Sequence, residues 1–383
     1  MGGDWLLISI MHRLQIEPRV RWQGKFEEQG LVYHTPKAPY WDESVCYRFN
    51  TAQIDQVEAA TNELHRLCLR AVDRVVRKNL FARLAIPEAW VPLIRRSWER
   101  KEQSIFGRFD LWWDGCNPPK LLEYNADTPT SLLEAAVVQW FWLEEKFPEE
   151  DQFNSLHERL IARWQGAEVR GTVYFTCLRE AAEDLANVTY LADTARQAGV
   201  ATEHIFIEDI GWNAGRKLFL DQRVRPIETL MKLYPWEWML DEEFGPHLAG
   251  APWRVFEPPW KLILSNKGIL PILWELCPGH PNLLPAYAEP QRLGESYVKK
   301  PLFGREGANI TLVRGAHTET TPGEYGAEGF VYQAFQSLPN FDGHCPVSGS
   351  WVIGNEAGGM GIRESESLIT GNTSRFVPHY FTE

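Results

Sequence analysis

GRFDLWWDGCNPPKLLEYNADTPTS, residues 107–131, holds two short runs of alternating character around Asp114-Gly115-Cys116-Asn117-Pro118-Pro119. That cluster of turn formers between alternating runs reads as a β-hairpin. With a loop of six residues, Trp113 faces Lys120, and the register sets Asp110 opposite Glu123 and Arg108 opposite Asn125. Side chains along a strand alternate with a period of two, so these four share one face. Directly opposed carboxylates repel, and positive charge belongs between them. Arg108 supplies part of it. Two carboxylates and an amide oxygen are also the oxygen-rich set that a hard cation such as magnesium takes, with phosphate oxygens as further ligands. The residues alone leave two readings open: a solvated polar face with one Arg–carboxylate pair, or a metal and nucleotide site.

Outward from the hairpin, Leu64, Leu67, Leu69, Val72, Val75 and Val76 recur at helical spacing and predict a helix over about 55–77. A second helix is expected from about Thr130 to Phe147, after the cap-like Thr128-Pro129-Thr130-Ser131 and before Pro148. GTVYFTCL (171–178) reads as a strand, 183–199 as a helix closed by Gly199, and ATEHIFIEDIGW (201–212) as another strand, an α/β rhythm over 165–260. SYVKKPLFG (296–304) and GFVYQAF (329–335) read as strands of a C-terminal sheet.

The chain of 383 residues carries 51 acidic and 39 basic side chains, a formal net charge of −12. That balance argues against a broad nucleic-acid or anionic-membrane footprint. No window approaches the ~18 apolar residues of a membrane span. The start, MGGDWLLISIMHRLQ, has too short an apolar run for a signal, and Leu6 breaks the myristoylation pattern. The expectation is a cytoplasmic protein with no nucleic-acid or membrane partner. Six cysteines lack any C-x-x-C pair, which points to buried free thiols rather than zinc ligands or disulfides.

Neither G-x-x-x-x-G-K-[ST] nor G-x-G-x-x-G occurs. A phosphate cradle is offered instead by YVKKPLFGREGANI (297–310), where Lys299 and Lys300 precede Gly304, Arg305 and Gly307. Glycines let backbone N–H groups approach phosphate, and alternation turns one of the two lysines inward. Lys267 in SNKGILP and Arg363 in GGMGIRES are further isolated cations. DLWWDG, VQWFWLEE and LYPWEWML supply core or cleft-wall aromatics. His344-Cys345 is a poor dyad, because adjacent residues on a strand point to opposite faces.

LLEYNADTPTSLLEA, KLYPWEWM, SNKGILPILWELCPGH, YVKKPLFGREGANI and GIRESESLITGNTSRFVPHYF occur in that order. Together they resemble the synthetase portion of the glutathionylspermidine synthase family, especially its stand-alone acid–amine ligases. The resemblance runs from about residue 20 to the C-terminus. It implies a mixed α/β fold: ATP-grasp-like with permuted order, plus an interleaved pre-ATP-grasp-type α/β domain. One catalytic unit, 1–383, would then comprise a helical region with the metal-site hairpin at 20–160, a substrate-side α/β domain at 165–260 and an ATP-binding lobe at 261–383.

The same resemblance implies ATP and Mg2+ as cofactors. It implies magnesium on Asp110, Glu123 and Asn125, catalysis by Arg108, and ATP held by Arg108, Asp110, Lys267, Lys300, Gly307, Gln333 and Arg363. Thr128 and Ser131 would meet the acid. Glu183 and Asp184, with Glu180 one helical turn earlier, would attract the amine. The acid would be a glutathione-like or peptide carboxylate and the amine a polyamine or peptide amine. Bifunctional members carry an N-terminal amidase for which this chain has no room, so hydrolysis of the product is not expected. Two other readings stand beside the ligase: a carbohydrate-active enzyme using Asp110 and Glu123 in an aromatic cleft, and a non-catalytic module that binds nucleotide or a partner.

Overall fold

The computed structural model describes residues 11–28, 40–371 and 374–383. Residues 1–10 of the amino-terminal run, Leu6 among them, lie outside the described residues. Three sheets surround the site. A five-stranded antiparallel sheet is ordered Arg375–Val377, Glu356–Ser365, Cys345–Ile353, Phe106–Trp112, Lys120–Asn125. A second antiparallel sheet of five includes Ser296–Pro301 paired with Phe330–Ala334. The third has four parallel strands, ordered Arg254–Phe256, Thr229–Lys232, Val173–Thr176, Thr202–His204.

The helix predicted over 55–77 is Thr51–Lys78, its first turn closed by a reciprocal capping box between Asn50 and Gln53 and its end by left-handed Asn79. Leu64, Cys68, Val72 and Val75 of its apolar stripe are fully shielded from water, whereas Leu69 is half-buried. The helix packs on strands Cys345–Ile353 and Glu356–Ser365. The segment expected to be helical from Thr130 enters its helix later: Ser131 has a left-handed φ of 66°, a π turn spans Glu134–Val138, and a regular helix follows over Gln139–Lys146.

The expected strand over 201–212 is broken. Thr202–His204 joins the parallel sheet, Ile207–Asp209 forms a tight turn, and Gly211–Asn213 pairs with Leu218–Leu220 in a separate ribbon. Asp209 and Gly211 are turn formers, and their local preference prevails over the apolar run around them. All six cysteines are free, but Cys116 at the hairpin turn and Cys277 at a helix end are half-buried rather than buried. Among the described residues no helix is long and apolar enough to cross a membrane.

Candidate active site

The hairpin strands Phe106–Trp112 and Lys120–Asn125 set Asp110 opposite Glu123 and Arg108 opposite Asn125, the register that the spacing predicts. The turn end differs: Trp112, not Trp113, faces Lys120, and Leu111 faces Leu121. A bulge at Leu122 absorbs the extra residue and restores the register before the acids. Two contacts explain the slip. Asp114 Oδ1 accepts the N–H groups of Cys116 and Asn117, tightening the turn. Trp113 leaves the strand to stack on Phe49 at 5.2 Å, its indole donating to Gln56.

The hairpin forms one wall of a cavity of about 390 Å³. The second antiparallel sheet contributes Lys300 and Gln333, and the segments that follow the parallel strands contribute Glu183, Asp184 and Tyr234. Crevices at the carboxyl ends of parallel strands are the usual ligand positions in such sheets. Arg108 donates to Asp110 Oδ1 at 2.8 Å and to the Thr130 carbonyl at 2.6 Å. Lys267 pairs with Glu123 at 2.8 Å. Lys300 donates to Gln333 Oε1 at 2.7 Å and to the carbonyl of the bulged Leu122 at 2.9 Å. Its neighbour Lys299 turns the other way, 3.8 Å from the centre of the Phe330 ring. Arg363 lines the cavity and donates to the Gly371 carbonyl. Gly307, with a φ of 69°, sits where a Cβ would come within 2.6 Å of the Thr370 carbonyl, so this loop requires glycine.

Thr128 lines the cavity and accepts a hydrogen bond from Arg305. Ser131 does not line it: buried, it contacts the Tyr40 hydroxyl and borders a narrow side pocket with Arg108 and Arg363. Glu183 and Asp184 occupy the first turn of the helix Ala182–Gln197 and line the cavity. Glu180 is not a helical turn before them. It is exposed in the turn that precedes the helix, because the chain closes there through Ala181 N–H to the Leu178 carbonyl. His344 and Cys345 form no dyad: the first accepts from Arg375, and the buried thiol accepts from Asn340.

Two ion pairs, one fully buried and one half-buried, escape the sequence reading. Asp127, fully buried, binds Lys232 at 2.6 Å and accepts the Trp236 N–H, and Lys232 also donates to the Tyr234 carbonyl. This pair fixes the Tyr234-Pro235-Trp236 segment behind the cavity wall. A lysine inside the apolar run ETLMKLY was the available signal, since a buried lysine needs a partner. Arg305, between Glu237 and Thr128, is the second.

Charge in the cavity is unevenly compensated. Burial raises the Asp110 carboxyl, Arg108 counters, and the opposed Glu123 raises it further. Burial also works to raise Glu123, but Lys267 and Lys300 outweigh it and hold that carboxyl at about 2. Lys300 is lowered to about 8, chiefly by burial. Asp184 is raised to about 7 by burial and then by Glu183 and Glu306. The donor set fits a hard cation: Asp110, Glu123 and Asn125 share one cavity wall, and Asp110 gains from any added positive charge.

A family profile described as Glutathionylspermidine synthase preATP-grasp matches residues 13–382. The chain is 45% identical over 361 residues to a Haemophilus influenzae protein named "Putative acid--amine ligase", covering 89% of this chain and 91% of that one. It is 30% identical over 366 residues to the bifunctional glutathionylspermidine synthetase/amidase of Escherichia coli, covering 87% of this chain and 58% of the relative. It is 29% identical over 349 residues to the trypanothione synthetase of Crithidia fasciculata, covering 82% of this chain and 53% of the relative. The chain thus spans little more than half the length of the last two. A glutathione synthetase-like effector from Globodera pallida shares the fold, with a TM-score of 0.54 at 10% identity over 96% of this chain and 98% of that one.

Proposed function

The chain belongs to the glutathionylspermidine synthase family, and on that premise we propose that it is an ATP- and Mg2+-dependent ligase joining a small-molecule carboxylate to an amine. The acid is a glutathione-like or peptide carboxylate, and the amine a polyamine or a peptide amine. We read the two antiparallel sheets beside the cavity as an ATP-grasp-like pair in permuted order, and 165–260 as the interleaved pre-ATP-grasp-type unit. The observation that carries the reading is the meeting of Arg108, Asp110, Glu123 and Asn125 with Lys300, Gln333 and Arg363 in one cavity. A glycosidase pair at Asp110 and Glu123 would leave those cations without a task.

In the proposed reaction the acid's carboxylate oxygen attacks the terminal phosphorus of ATP and ADP leaves. The amine nitrogen then attacks the acyl carbon, forms the amide, expels phosphate and loses a proton. Arg108 and Arg363 face the phosphoryl group in transit and offset its charge. Lys267 and Lys300 bind the phosphates, exchanging their present protein partners for phosphate oxygens. Gln333 meets the nucleotide base, and the backbone around Gly307 covers the phosphates and excludes water. Thr128 orients the acid, with Ser131 held behind it, and Glu183 and Asp184 attract the amine. Asp110, Glu123 and Asn125 would hold magnesium, which when bound neutralises phosphate charge.

The test is a thermal melt with ATP plus magnesium, with ATP plus EDTA, and with neither, followed by measurement of ADP release with candidate acids and amines. Ligand at 100 times its dissociation constant stabilises the fold by about 2.7 kcal/mol, a shift of several degrees. The expected shift requires both components. No shift at saturating nucleotide sinks the reading.

A further inference from the structure

Asp127 and Lys232 take no part in the reaction as proposed, yet both side chains are fully enclosed. A buried ion pair is a poor source of stability, because desolvating two charges offsets most of their attraction. What it does fix is geometry, since either charge without its partner is strongly disfavoured. Asp127 lies two residues beyond Asn125 of the hairpin wall and directly before Thr128, which Arg305 binds at 2.6 Å. Lys232 ends the parallel strand Thr229–Lys232, and the next three residues, Leu233, Tyr234 and Pro235, all line the cavity. One oxygen of Asp127 accepts from Lys232 at 2.6 Å, and the other accepts the Trp236 N–H at 2.9 Å. Lys232 also donates to the Tyr234 carbonyl at 2.8 Å, and its ammonium lies 4.7 Å from the centre of the Trp236 ring. A single carboxylate therefore holds both ends of the segment that carries Leu233, Tyr234 and Pro235. The next residue, Glu237, binds Arg305 at 2.6 Å and closes the circuit back to Thr128.

The two walls joined here have different tasks in the ligase reading. The hairpin wall, with Arg108, Asp110, Glu123 and Asn125, serves phosphoryl transfer. The segments that follow the parallel strands, with Glu183, Asp184 and Tyr234, face the amine. An acyl phosphate formed at the first wall must meet a nitrogen held at the second, and a misplacement of about 1 Å can slow such an encounter about 100-fold. Water then competes. Its oxygen attacks the acyl carbon, the bond to phosphate breaks, and the acid returns as a carboxylate, so that ATP is cleaved to ADP and phosphate and no amide forms.

We infer that Asp127 and Lys232 are positioning residues that set the hairpin wall against the amine-facing wall, and that their pairing couples ATP cleavage to amide formation. This inference rests on the ligase reading.

The test measures ADP released and amide formed by the 383-residue protein, with glutathione and glycylglycine as probe acids and spermidine and glycinamide as probe amines. The parent is compared with Asp127→Ala/Lys232→Met, whose apolar pair restores much of the stability that Asp127→Ala loses. Asn50→Ala, which removes a helix cap outside the cavity, controls for stability alone. The double variant should release ADP within about threefold of the parent rate, while its yield of amide per ADP falls at least about fivefold. Asn50→Ala should keep the parent yield. If the double variant fails to fold, Asp127→Asn gives the same comparison, because it keeps an oxygen for the Trp236 N–H but removes the charge facing Lys232. A parent-like yield of amide per ADP in the folded variant overturns the inference, as does an equal fall in ADP and amide, or a fall in yield shared by Asn50→Ala. A parent that releases no ADP with any probe pair overturns the ligase reading, and the inference with it.

Discussion

The ammonium of Lys267 lies 2.8 Å from the Glu123 carboxylate and donates to the Gly304 carbonyl at 2.6 Å. One lysine thus ties the acidic hairpin to the glycine loop. The positive charge that opposed strand acids demand is supplied by the protein itself, from 144 positions along the chain by the residue numbers (267 − 123). Glu123→Gln removes the counter-charge of both Lys267 and Lys300. The expected outcome is a loss of about 2 kcal/mol of stability without ligand, read by chemical denaturation. ADP release should fall by about 100-fold or more. Turnover near that of the parent would remove Glu123 from the site.

Burial lowers Lys300 to about 8, so the side chain is charged below that pH and neutral above it. Phosphate affinity should therefore fall as pH rises through about 8, seen in kcat/KM for ATP, which reports the free enzyme. Lys300→Arg, which keeps its charge throughout, should flatten that limb. For stability the sign is opposite. A lysine whose folded-state pKa is depressed is charged in the unfolded chain between about 8 and 10.5 and neutral in the fold, so stability rises with pH across that window.

Asp184 titrates near 7, raised by burial and by the neighbouring Glu183 and Glu306. Its carboxylate forms as pH climbs through that value and then attracts a cation. The kcat/KM for a polyamine should rise several-fold between about pH 6 and 8, while Asp184→Asn should lose that rise. An identical profile in the variant would separate Asp184 from amine recognition.

Asp127 and Lys232 are fully buried partners at 2.6 Å. Asp127→Ala leaves an uncompensated buried ammonium and should cost about 3–5 kcal/mol, measured by denaturant unfolding. Asp127→Ala/Lys232→Met should recover a large part of that loss, because an apolar pair needs no counter-charge. If the double variant is no more stable than the single one, the cost lies in the lost Trp236 N–H bond instead.

The face bearing Arg108, Asp110, Glu123 and Asn125 was legible because period-two alternation and a compact turn are local properties. The bulge at Leu122 was not, since it depends on Trp113 burying itself against Phe49, 64 positions away by the residue numbers (113 − 49). Nor did the sequence separate Glu183 and Asp184, which line the cavity, from Glu180, which does not. That distinction depends on where one turn ends and a helix starts.

The sequence by itself determined which residues carry charge, the long helix Thr51–Lys78, and which polar side chains share a strand face. These follow from neighbours a few positions apart. Only the tertiary structure decided that Lys267 neutralises Glu123, that the bulged Leu122 carbonyl receives Lys300, and that Asp127 serves Lys232 rather than the cavity. A buried charge must find its partner wherever packing brings one within about 3 Å. Distance along the chain carries no record of that requirement.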